Sequence, residues 1–167
     1  MDNMNSNLKR ITYTSLLIAI VFIATVVIAI PSPLGGYVNL GDAAIYISAY
    51  FLGPVFGFLA GGLGSMLGDA YLSFIPYMIP TLIIKGTMGA VAAYMFKRER
   101  FVLGMVAGMA IMVFGYYGFE IFLYNSLISP LSGILYNSMQ GVIGAIGGYI
   151  AIKVFKKSGV KSSLTIG

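Results

Sequence analysis

The sequence contains no cysteine, no histidine and no tryptophan. Without cysteine there are no disulfides and no thiolate metal sites. Without cysteine and histidine together, the usual ligands of zinc, haem and iron–sulfur clusters are missing, and so are the His- and Cys-based catalytic triads. Charge is scarce as well. Only 9% of the 167 residues are charged, against about 25% in an ordinary globular domain. There is also no glycine-rich phosphate loop ending in Gly-Lys-Ser or Gly-Lys-Thr, so the chain is not expected to hydrolyse ATP itself. What is abundant is apolar: 59% of residues are hydrophobic and 22 are glycine. A soluble fold of this size leaves roughly a third of its surface in water, and this chain lacks the polar residues to cover it. The composition predicts an all-α polytopic membrane protein, a single transmembrane domain over residues 1–167.

A bilayer core is crossed by an apolar helix of about 20 residues. Such runs, with their breaks, predict helices over about 11–30, 42–52, 55–71, 77–96, 101–124 and 133–155. Pro31 and Pro33 stop the first. A polar, glycine-rich loop follows over 34–41, and Asp42 is the expected N-cap of the second helix. Gly53-Pro54 breaks the second from the third, and Lys97-Arg98-Glu99-Arg100 is a charged turn. The first apolar run is too long for a cleaved signal. Residues 43–71 could instead form one kinked helix, giving five spans. Charge favours six. Lys9, Arg10, Lys97, Arg98, Arg100, Lys153, Lys156, Lys157 and Lys161 all fall on one side with six spans, whereas connections 31–41, 71–77 and 125–132 contain no Lys or Arg. Under the positive-inside rule the basic side is cytoplasmic, which places both termini in the cytoplasm. Small-residue spacings at Gly57, Gly61, Gly64 and Gly68, and at Gly141, Gly144 and Gly148, are expected to pack helices against each other.

Lys85 is the one basic residue inside a span, roughly 12 Å below the outer end of its helix. A lone charge at that depth costs at least about 2.5–3.5 kcal/mol, so partners are expected, Asp69 or Glu120. Asn137, Gln140, Asn39, Asp42 and Tyr77 gather in the same outer half, with Tyr37, Tyr71, Tyr116, Tyr117, Tyr124 and Tyr136. Two readings compete. One is a structural ion pair beneath an aromatic belt. The other is an outward-opening pocket, since intramembrane ionisable residues mark functional sites by default and ligand pockets combine aromatic walls with a few polar groups. The candidate substrate-binding residues are Asn39, Asp42, Asp69, Tyr77, Lys85, Glu120, Asn137 and Gln140. No catalytic or metal-ligating set stands out.

The stretch from Gly36 to Ala44 (GYVNLGDAA), the run Gly61 to Asp69 (GGLGSMLGD) and the run Thr81 to Gly86 (TLIIKG) resemble the S components of energy-coupling factor (ECF) vitamin transporters. Within that family the chain looks most like members assigned to hydroxymethylpyrimidine or pyridoxine, which are grouped with riboflavin-type S components. The resemblance implies a subunit that binds one vitamin in an outward pocket and has no cofactor of its own. It implies docking on a transmembrane T subunit and two cytoplasmic ATPases, which use the ATP, and toppling in the membrane to deliver the ligand. It places docking on a small-residue face of the first helix, here Ser15 and Ala19, and it puts Asn39, Asp69 and Lys85 in motifs that line or brace the pocket. Two rival readings remain: a small intramembrane enzyme using Asp69, Glu120 and Lys85 in acid–base work, and a stand-alone vitamin facilitator.

Overall fold

The protein's structure, a computed structural model, describes residues 2–32 and 37–159. Residues 33–36, the head of the expected glycine-rich loop, lie outside the described residues, as does Lys161. The elements are α1 (Asp2–Val27), β1 (Ala29–Pro31), β2 (Tyr37–Asn39), α2 (Gly41–Tyr71), a 3-10 turn (Ile75–Tyr77), α3 (Met78–Phe96), α4 (Phe101–Tyr124) and α5 (Leu131–Lys157). Among the described residues, five helices are long and apolar enough to cross a membrane. Their outward faces carry large apolar side chains, Phe122, Phe114 and Val55 among them. A surface of that kind is a liability in water and the ordinary exterior of a protein in lipid.

The second of these helices is broken where Gly53-Pro54 predicts a break. Gly53 takes φ 78° and ψ −178°, a conformation open essentially to glycine alone, and Pro54 supplies no N–H to continue the ladder. The two halves then fold back on each other. A methyl at Gly61 would stand 3.1 Å from Ile45 Cγ2, and one at Gly57 would stand 3.4 Å from Ala49 Cα. On a straight helix residues 45 and 61 would be about 24 Å apart.

Close backbone approaches at small residues give the direction of every helix. Gly64 meets Val21 and Gly68 meets Thr25, so the second half of α2 runs parallel to α1. Gly57 meets Gly89 and Gly61 meets Lys85, so α3 returns antiparallel. Phe96 packs on Gly104 and Met88 on Gly108, reversing α4 again. Gly144 lies against Asp42, Gly148 against Tyr46 and Phe155 against Phe51, so α5 runs parallel to the first half of α2. The 97–100 turn and the C-terminal end of α5 therefore meet at one end of the bundle, where Lys156 Nζ donates to Glu99 Oε2 at 2.6 Å. The β1–β2 ribbon, the 72–77 segment and the 125–130 connection meet at the other.

Three expectations are corrected. The first connection is not a plain loop after residue 30: α1 ends at Val27, and Ala29–Pro31 pairs antiparallel with Tyr37–Asn39, Ala29 opposite Asn39 and Pro31 opposite Tyr37. The β-branched and proline residues that end the helix suit an extended edge. Asp42 is not the N-cap of α2. The cap is Leu40, which makes no side-chain bond, while Asn39 Oδ1 accepts the Gly41 N–H at 2.8 Å. Asp42 lies inside the first turn, where a carboxylate complements the helix dipole, and its side chain turns inward. Finally, the partner of Lys85 is neither Asp69 nor Glu120.

Candidate functional site

At the ribbon end of the bundle the helices enclose a cavity of about 580 Å³, its open mouth included. Thr25 comes from the end of α1, and Ser32, Tyr37, Val38 and Asn39 from the ribbon and its flank. Ser65 and Asp69 come from α2, Phe74 and Tyr77 from the turn before α3, and Thr81 and Lys85 from α3. Tyr116 and Glu120 on α4 and Gly133, Tyr136, Asn137 and Gln140 on α5 close the ring. Every long element contributes.

Seven of the eight expected ligand residues line this space: Asn39, Asp69, Tyr77, Lys85, Glu120, Asn137 and Gln140. Asp42 does not. It is fully buried next to the cavity, where Lys85 Nζ donates to its Oδ1 and Gln140 Nε2 donates to its Oδ2 at 3.1 Å. Lys85 also donates to Met112 Sδ at 2.8 Å and sits 5.7 Å from the centre of the Tyr116 ring. Gln140 Oε1 accepts the Asn39 N–H at 2.9 Å, tying the ribbon to α5. A buried charge needs its counter-charge and its remaining hydrogen bonds met inside the protein, and this network meets both for Lys85 and Asp42.

Asp69 is arranged differently. Tyr37 O–H donates to its Oδ1 at 2.7 Å. Burial, with the Asp69 carboxylate adding to it, pushes the Tyr37 phenol well above the usual tyrosine range, so it stays protonated and a donor. The second oxygen, Oδ2, is buried and has no hydrogen-bond partner. Thr81 is close to Asp69, but the hydrogen bond its geometry supports is with Tyr116 O–H, at 2.9 Å. Buried polar atoms without partners are uncommon and costly, and this one belongs to a residue of the cavity lining. Glu120, also buried, accepts Tyr77 O–H at a long 3.4 Å, and the same Tyr77 hydroxyl lies 2.9 Å from that of Tyr124. Rings form a collar: Tyr37 and Phe74 have centroids 4.9 Å apart, and Tyr77 stands 6.2 Å from Phe74 and 6.4 Å from Tyr116. The arrangement offers stacking surfaces around a short list of acceptors.

Half of the ten lining residues absent from the sequence-based set had a signal. Ser65, Thr81, Tyr116 and Gly133 each lie four positions before a chosen residue (Asp69, Lys85, Glu120 and Asn137), and so one turn away on the same helix face. Tyr136 is likewise four before Gln140. Phe74 sits in a connection and Tyr37, Val38 and Ser32 on a ribbon, where helical spacing says nothing. Tyr71, one of the outer tyrosines, faces outward instead. Ser15 and Ala19 are exposed on α1, remote from the cavity.

Comparison with known proteins adds a second line of observation. The family model "ECF-type riboflavin transporter, S component" matches residues 5–157. A Pyrococcus woesei protein described only as an uncharacterized protein in a gap 3′ region is 34% identical over 138 residues, covering 74% of this chain and 93% of its own. The thiamine precursor transporter HmpT of Lactococcus lactis subsp. cremoris is 26% identical over 163 residues, covering 93% of each chain.

Proposed function

The chain belongs to the family of ECF-type riboflavin transporter S components, and from that premise we propose that it captures a small aromatic vitamin or vitamin precursor from outside the cell. The ligand class is a hydroxymethylpyrimidine- or pyridoxine-like ring, the first supported by the similarity to a thiamine precursor transporter. The observation that carries the reading is the cavity itself: aromatic walls, buried amides and a carboxylate oxygen with no partner, gathered at the end of the bundle away from the basic turns. Asn39, Asp69, Tyr77, Lys85, Glu120, Asn137 and Gln140 contact or brace the ligand, and Asp42 holds Lys85 and Gln140 in place. Specificity comes from the unpaired Asp69 oxygen, because a ligand lacking the right donor leaves it buried and unsatisfied.

The two antiparallel halves of α2 cross the membrane separately, making six crossings with both ends and the 97–100 turn in the cytoplasm of a prokaryote. The cavity then opens outward. Delivery is driven by two ATPases acting through a transmembrane T subunit that docks on the exposed Ser15 and Ala19 of α1. A body whose ionisable side chains within the spans are buried and whose exterior is largely Leu, Ile, Val and Phe can reorient in lipid without exposing those groups to it.

The test is calorimetry on the detergent-purified chain, without ATP, against pyridoxine, hydroxymethylpyrimidine, riboflavin and thiamine. The expected result is tight one-to-one binding of at least one. Absence of binding by all four, or uptake by this chain alone in proteoliposomes, would overturn the proposal.

A further inference from the structure

The cavity is lopsided in charge. Lys85 is the one cation among its lining residues, and its charge is already matched: Asp42 holds its ammonium, and a second of its N–H groups points at Met112 Sδ, 2.8 Å away. Two carboxylates remain, Asp69 and Glu120, 4% and 8% exposed. The hydroxyls nearest them, on Tyr37 and Tyr77, are already donated. Asp69 Oδ2 has no partner at all. Nor do the N-termini of α2 and α5 offer an anion an empty berth. Glu120 lies against the first turn of α5, where a methyl on Gly133 would stand 2.8 Å from its Oε2, and Asp42 occupies the first turn of α2.

From this we infer that the site, taken as the vitamin site, selects its ligand by charge. It takes a ring bearing N–H and O–H donors, neutral or cationic, and excludes the phosphate monoester of the same ring. An anion inside would face two carboxylates across a low-dielectric space, where like-charge opposition is expensive. It would find no Arg fork and no uncommitted cation to receive it. Asp69 is the specificity-determining residue, through the one oxygen left for a ligand donor.

The experiment pairs each compound with its own phosphate on the full-length, detergent-purified protein: hydroxymethylpyrimidine, pyridoxine, riboflavin and thiamine against their monophosphates, by calorimetry. The free form that binds is expected to bind about 100-fold or more tightly than its phosphate. Glu120→Gln and Asp69→Asn are each expected to narrow that ratio, by about tenfold. The ratio is read within one variant, so a general loss of affinity divides out, and either variant suffices if the other fails to fold. Equal binding of a free compound and its phosphate, or an unchanged ratio in the variants, overturns charge selection and leaves vitamin capture standing. Failure of every free compound to bind removes vitamin capture, and this inference with it.

Discussion

Replacing Lys85 with methionine removes the one buried cation among the described residues and leaves the Asp42 carboxylate fully buried beside it. Breaking a buried pair by deleting one partner costs about 3–5 kcal/mol, because the remaining charge is uncompensated. The low end, about 3 kcal/mol, applies here, since Asp42 keeps the Gln140 Nε2 bond at 3.1 Å. Asp42→Asn carries a similar cost: the Lys85 ammonium keeps only the Met112 sulfur and the Tyr116 ring face. The double variant leaves no unpaired charge, so its loss should be far smaller than the sum, with a coupling of about 2–3 kcal/mol. The assay is SDS-induced unfolding in mixed micelles followed by far-UV circular dichroism, a probe that does not need the tryptophan this chain lacks. If the two single losses simply add in the double variant, Lys85 and Asp42 are not a coupled pair and the buried network does not hold them together.

Gly64→Leu tests the α1–α2 contact. A Cβ there would lie 2.7 Å from Val21 Cβ and 2.8 Å from the Ile18 carbonyl oxygen, and neither can yield without moving α1. A loss of about 1–3 kcal/mol is expected in the same unfolding assay, while Gly118→Ala, with nothing within 4 Å, should change little. Ser15→Trp adds bulk to an exposed position of α1 far from the cavity. Ligand affinity by calorimetry should be unchanged, and ATP-dependent uptake in proteoliposomes containing the T subunit and ATPases should be lost.

Much of this protein is local, and local features can be read along the chain. An apolar run of a given length makes a spanning helix whatever surrounds it, so 101–124 coincides with α4, and the other helix ends fall within a few residues, except at α1. Gly53-Pro54 breaks a helix by its own backbone chemistry. The depth of each polar residue follows from its distance to a helix end at 1.5 Å per residue, which is why the order of residues alone puts Asp69, Lys85, Glu120 and Gln140 in the same half of the bundle. Depth is not azimuth, however. Which carboxylate meets Lys85 depends on how each helix is rotated and tilted, and that is set by the close approaches at Gly61, Gly64 and Gly144, contacts between residues far apart in sequence. Only the tertiary structure decided that Asp42 takes the lysine. It also decided that a two-stranded ribbon brings Tyr37 to Asp69, and that one oxygen of Asp69 is left buried and unpaired.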